Sequence, residues 1–163
     1  MMRAAREPDP NVYPALMALR RVADEEGGLL VVACSNTSLV PEDHEFNDPN
    51  TPEGRFAAEL RGMFDVFVSS AHVGMRKPER EIYEYTIAEL DRVARERWGS
   101  ADGEGAGVRA EDVVFLDDIG ANLKGAREVG MRTIRVVMGE TERAVRELEE
   151  VMGLVLGENK ARL

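Results

Sequence analysis

The chain is poor in the residues that staple, ligate or anchor a protein. It holds one cysteine, Cys34, so no internal disulfide can form, and the residue reads as a buried thiol near a strand end in a reducing compartment. It holds two histidines, His44 and His72, whose surroundings lack the spacing of a zinc site. The longest purely apolar run is residues 29–34, far short of a membrane span. Met1 and Met2 are followed by charged residues rather than an apolar stretch, so no signal peptide is expected, and a cytoplasmic location is. Cations are outnumbered: 21 Lys and Arg against 31 Asp and Glu leave a formal net charge of -10. Binding to nucleic acid or to an anionic membrane needs a cationic face, so neither is an expected partner. A small phosphate can still be held where cations are placed locally.

What is present suits a globular domain. The 163 residues are 44% hydrophobic, enough for one core without metals or disulfides. Residues 14–23 carry Leu16, Leu19 and Val22 at helical spacing, and Gly27-Gly28 stops that helix. Residues 29–34 form a β-rich run apolar on both faces, as a buried parallel strand is. After a loop over 39–51, Thr51 is placed to cap a helix with Pro52 in its first turn. Residues 65–69 read as a second strand. From Pro78 a long helix puts Tyr83, Ile87, Leu90 and Ala94 on one face and charges on the other. Residues 99–108 are a glycine-rich insert, read as a flexible linker because the cluster neither follows a strand nor opens a helix. Strands over 113–116 and 133–137 alternate with helices over 121–129 and 142–152, and the tail from 157 is expected to fray. This alternation predicts one α/β domain with parallel strands and helices on both sheet faces. Ligands gather at the C-terminal ends of such strands.

Three of the four strands deliver polar groups there. The first runs into Ser35-Asn36-Thr37, the second into a stretch ending Arg76-Lys77-Pro78, and the third into Asp117-Asp118, with Gly120 and Asn122 just beyond. A hydroxyl and backbone amides suit phosphate oxygens, a fixed ammonium offsets phosphoryl charge, and carboxylates suit a hard divalent cation. Singly, each is an ordinary turn, helix start or cap. The ordered set, each on its own strand end, points to phosphate chemistry.

These residues resemble three motifs of the haloacid dehalogenase (HAD) superfamily: Ser35-Asn36, the stretch from Val73 to Pro78, and the stretch from Phe115 to Leu123. The pattern is nearest to the N-terminal phosphatase domains of bifunctional soluble epoxide hydrolases, and the likeness covers roughly residues 11–140. It implies a three-layer α/β/α Rossmann-like core and Mg²⁺-dependent hydrolysis of a phosphate monoester. Residue by residue, it implies that Ser35 and Asn36 hold phosphate oxygens and that Lys77 bridges phosphate and nucleophile. It further implies that Asp118 ligates Mg²⁺ with Asp117 beside it, that Asp117 orients Lys77 or water, and that Asn122 supports the site.

The superfamily's first motif, an apolar strand ending in Asp-x-Asp, is missing. Asp9 lies between prolines with no strand before it, and Asp65 begins a strand rather than ending one. Near-background turnover is therefore expected of this chain alone, with weak Mg²⁺ binding. The missing strand belongs at the sheet's centre, between the 29–34 and 113–116 strands. Its absence predicts that those strands pair directly, that another segment or chain fills the gap, or that the fold loosens. Three functional expectations follow: a partial HAD phosphatase, a phosphate- or partner-binding protein without catalysis, or a half-protein completed by another chain or as a dimer. No Gly-x-Ser-x-Gly elbow is present, so epoxide hydrolysis is not encoded.

Overall fold

A computed structural model of the chain describes residues 8–38, 41, 44–99 and 107–156. The central parts of the glycine-rich insert and the tail from 157 lie outside these residues, as do four positions of the 39–51 loop. Six helices, α1 (Val12–Glu25), α2 (Pro52–Gly62), α3 (Ser70–Val73), α4 (Arg80–Trp98), α5 (Gly120–Glu128) and α6 (Thr141–Met152), accompany four strands, β1 (Val32–Ser35), β2 (Val66–Ser69), β3 (Val114–Asp117) and β4 (Arg132–Arg135). The short helix α3 went unread in the sequence. It is a single turn that Gly74 closes in the left-handed conformation, at φ 71°, and it aims the chain toward Lys77.

Local chemistry explains the main elements. Asp9 Oδ1 accepts from the backbone N–H groups of Asn11 and Val12, at 2.9 and 2.8 Å, and satisfies donors at the start of α1. Thr51 caps α2 as its sequence predicts, with Oγ1 accepting from Gly54 N–H at 2.9 Å. In α4 the buried positions Ile82, Tyr83, Thr86, Leu90, Val93 and Ala94 repeat at helical spacing. The opposite face carries i,i+4 ion pairs such as Arg80–Glu84 and Arg92–Glu96.

Among the described residues all strand pairing is parallel, and the sheet is split. β1 pairs with β2, β3 pairs with β4, and no ladder joins the two pairs. The direct pairing of β1 with β3 that the sequence allowed does not occur. Strand alternation puts Val113 and Phe115 into a core cluster with Ile82, Tyr83 and Val68, beneath α4 and α5. Val114 and Leu116 face a second cluster of Ala15, Ile134, Ala144 and Leu148, beneath α1 and α6. The three-layer arrangement thus survives, with helices on both faces of an interrupted sheet. Where the pairs part, an apolar slot of about 390 Å³ opens between residues 29–32 and 113–116, walled by α1, α4 and α6.

Candidate functional site

The C-terminal ends of β1 and β3 are joined through Lys77, in the loop between α3 and α4. Asn36, one residue past β1, holds that loop by a reciprocal pair: its Oδ1 accepts from Lys77 N–H at 2.8 Å and its Nδ2 donates to Lys77 O at 2.9 Å. The Asn36 side chain is therefore spent on lysine placement, and only its backbone remains to face an anion. Thr37 and Ser70 fasten the same loops together. Ser70 Oγ accepts from Thr37 N–H at 2.9 Å and donates to Thr37 O at 3.1 Å. Ser35 is the last residue of β1, in register with Ser69, which is buried and hydrogen-bonded to Thr37 Oγ1 and His72 Nδ1.

Across the site, Lys77 Nζ donates to Asp117 Oδ2 at 2.6 Å, and the two side chains are 10% and 6% exposed. The ammonium also stands 5.3 Å from the centre of the Phe115 ring, a cation–π arrangement that fixes the lysine from below. Asp117 is fully engaged. Its oxygens accept from Lys77, from Ile119 N–H at 2.8 Å and from Asn122 Nδ2 at 3.1 and 3.2 Å. Burial raises the Asp117 pKa, but the hydrogen bonds from Lys77, Ile119 and Asn122 outweigh it and hold the carboxyl below its ordinary value. Asn122 is buried in turn, and Tyr83 Oη donates to its carbonyl at 2.8 Å.

The two adjacent aspartates differ sharply. Asp117 is buried and saturated, whereas Asp118 is exposed and forms no hydrogen bond or ion pair with another described residue. A cation at this end would meet Asp118 and find Asp117 already occupied. Mg²⁺ ordinarily takes one or two protein carboxylates plus phosphate oxygens and water, so Asp118 alone fits a minimal share of such a shell. Among the described residues, no group of three His, Cys, Asp or Glu side chains converges as a metal cluster. His44 stacks near Phe46, 4.8 Å between ring centres, away from these groups in sequence and in contacts.

The sequence named Ser35, Asn36, Lys77, Asp117, Asp118 and Asn122. The structure links Asn36, Lys77, Asp117 and Asn122 in one hydrogen-bonded chain, with Ser35 and Asp118 adjacent along the backbone. It adds Tyr83, which the sequence reading placed only on the apolar face of a helix, and Phe115, which it named only as the start of a motif. Their aromatic character gave no separate signal, because each serves its polar neighbour from within the apolar cluster. The rejected carboxylates have other duties: Asp9 starts α1, and Asp65 binds Arg20, Arg97 and Val31 N–H at the entry to β2.

A family profile described as HAD-hydrolase-like matches residues 74–154. Bifunctional epoxide hydrolase 2 of Rattus norvegicus is 41% identical over 95 residues, which are 58% of this chain and 14% of that protein. Acyl-CoA dehydrogenase family member 10 of Mus musculus is 34% identical over 96 residues, 59% of this chain and 7% of that protein. The chain thus matches only a small part of these relatives. Among solved structures, an uncharacterized protein from Corynebacterium glutamicum aligns with a TM-score of 0.61 over 94% of this chain and 90% of that one, at 23% identity. A dehalogenase with an intermediate complex aligns with a TM-score of 0.52 over 88% of this chain and 55% of that one, at 21% identity. These two likenesses concern the fold.

Proposed function

Because this chain belongs to the HAD-like hydrolases, we propose that the ends of β1 and β3 form a phosphate-monoester site of the Mg²⁺-dependent phosphatase type that binds but does not turn over in this chain alone. The observation that carries this is the Lys77–Asp117 pair, backed by Asn122 and held to β1 by Asn36. Lys77 has three donors, and its bond to Asp117 uses one of them. The remaining donors offer a fixed positive charge to a phosphoryl group. The Ser35 hydroxyl and the backbone amides beside it supply neutral donors. Asp117 keeps Lys77 in place, its carboxyl held below its ordinary pKa by the hydrogen bonds it accepts. Asp118 would hold Mg²⁺, which when bound offsets charge on the phosphate oxygens. Among the described residues no strand lies between β1 and β3 to carry a nucleophilic aspartate, which is why no turnover is expected. The small-molecule ligand is one that bears a phosphate.

Titration of the protein with inorganic phosphate, with and without MgCl₂, followed by calorimetry, tests this reading. Phosphate affinity is expected to fall about tenfold or more in Lys77→Met, matching loss of one charge-assisted bond. Asp118→Asn should remove the Mg²⁺ dependence and leave Mg²⁺-free binding intact. Turnover of an aryl phosphate should stay at background. Phosphate binding indifferent to Lys77, or turnover abolished by Lys77→Ala, would overturn the proposal in its binding or its catalytic half respectively.

A further inference from the structure

We infer that His72, acting through Ser69 and Thr37, is a positioning residue that tightens the anion site at the end of β1 when its ring is protonated. The inference rests on the phosphate reading of that site and adds a proton-dependent control to it. Three side chains form a hydrogen-bonded line. His72 Nδ1 meets Ser69 Oγ at 2.8 Å, and Ser69 Oγ meets Thr37 Oγ1. Ser69 is buried in the middle, while His72 and Thr37 are exposed at the two ends. Thr37 belongs to the same turn as Ser35 and Asn36. Ser70 Oγ grips the Thr37 backbone at both N–H and carbonyl, at 2.9 and 3.1 Å. The Thr37 hydroxyl is thereby fixed beside Asn36, whose backbone faces the anion.

Proton counting sets the direction of the line, because each hydroxyl has one proton to give. When Nδ1 is bare, it takes the Ser69 proton, and Ser69 Oγ takes the Thr37 proton. Thr37 then presents only lone pairs to solvent. When Nδ1 carries a proton, the ring donates to Ser69 and Ser69 donates to Thr37. The Thr37 proton is released outward, where an anion accepts it. A neutral ring reaches this second arrangement only by keeping its proton on Nδ1; the cation has it always. The imidazolium also adds a positive charge two hydrogen bonds from Thr37, well inside a Debye length. Both changes favour an anion. Histidine is the side chain that changes charge between about pH 5 and pH 8. Ser69 of β2 and Thr37 of the β1 turn, which face His72, carry no charge, and His72 has no ion pair among the described residues. In sequence, the charged residues flanking α3 are Asp65, at the far end of β2, and Arg76, Lys77 and Glu79 in the loop after it. Asp65 is bound to Arg20 and Arg97, Lys77 to Asp117, and Glu79 accepts from Arg76 N–H. Asp117 is held below its ordinary value, so it keeps its charge across this window.

Sulfate stays a dianion throughout that window, as phosphate does not, and serves as the probe. Calorimetry on the full chain at constant ionic strength, without Mg²⁺, compares the native protein with His72→Gln, Thr37→Val and His44→Gln from about pH 5.5 to about pH 8. The native protein and His44→Gln are expected to bind sulfate about threefold or more tightly at the acid end, the gain that a linkage of about half a pH unit produces. His72→Gln should bind equally at both ends, and Thr37→Val, which keeps its shape and its backbone bonds, should lose more than half of the gain. A flat native profile would overturn the inference, as would the full gain in His72→Gln or its loss in His44→Gln. The full gain in Thr37→Val would reduce the effect to bare charge and overturn the relay. Lys77→Met separates the two readings. Sulfate binding that needs Lys77 but ignores pH would sink this inference alone; binding indifferent to Lys77 would sink the phosphate reading with it.

Discussion

At the residue scale, the site is built by groups that hold other groups. Asp117 holds Lys77, Asn122 holds Asp117, and Tyr83 holds Asn122. Tyr83 is fully buried, and burial, with Cys34 and Asp117 nearby, pushes its phenol well above the ordinary value, so it stays a neutral donor. Tyr83→Phe removes the hydroxyl that donates to the Asn122 carbonyl inside helix α5. The expected cost is about 1–2 kcal/mol, the usual range for a lost buried hydrogen bond. Urea unfolding should show it as a lower midpoint with an unchanged slope. A midpoint equal to that of the native protein would mean that the Tyr83 hydroxyl adds nothing to stability beyond the helical bonding of α5. The sequence showed the outer members of this chain, because Lys77 and the two aspartates are charged residues at strand ends. It could not separate the duties of Asp117 and Asp118. That distinction is a matter of burial: one side chain turns inward to Lys77 and the other outward to solvent.

At the element scale, strand and helix order was legible because apolar runs alternate with amphipathic stretches bounded by glycine and proline. Boundaries moved by up to three residues. The first strand begins at Val32 rather than at residue 29, since residues 29–31 lie at the slot with no continuous ladder beside them. The helix α1 shows the same cause. Its predicted face of Leu16, Leu19 and Val22 is only half-buried, and the tightly packed residues are Ala15 and Ala23. Helix α5, by contrast, is seated closely. Gly125 lies where an added Cβ would come within 2.8 Å of Pro78 O and 2.9 Å of Tyr83 Cε2. Gly125→Ala sets a helix-propensity gain of about 1 kcal/mol against an overpacking cost of about 1–3 kcal/mol. The clash is with backbone as well as a ring, so net destabilisation is expected. It should displace the loop bearing Lys77 as well. Thermal unfolding would read the first effect and phosphate titration the second; a stabilised variant with native affinity would show that α5 can slide outward at no cost.

At the scale of the whole molecule, absence of a central strand was readable, but its consequence was not. Direct pairing of β1 and β3 would require the helix layers to close, and α1 and α6 pack against each other on one face. Asn11 Nδ2 donates to Thr141 Oγ1 at 3.0 Å to join the starts of those two helices. An ionic knot adds to the apolar packing that ties β1 and β2 to the helices. Asp65, 2% exposed at its side chain, takes Arg20 at 2.9 Å from α1, Arg97 at 2.6 Å from α4 and Val31 N–H at 2.7 Å. Burial raises the Asp65 pKa, but Val31, Arg20 and Arg97 together lower it below the ordinary carboxylate value. Asp117 is lowered in the same sense. A carboxyl with a depressed native pKa binds its proton more readily when unfolded. Its stabilisation is thus complete above the unfolded pKa of about 3.9 and is lost as pH falls through the lower native value. The melting temperature should be nearly level from neutrality to about pH 5 and drop steeply below about pH 4. Asp65→Asn should cost about 3 kcal/mol at neutral pH, because both arginines lose their buried partner. In that variant the acid drop should be shallower, leaving Asp117 as the main remaining contributor. An equally steep drop in Asp65→Asn would place the acid sensitivity elsewhere and remove Asp65 as the tie between the first strand pair and its helices.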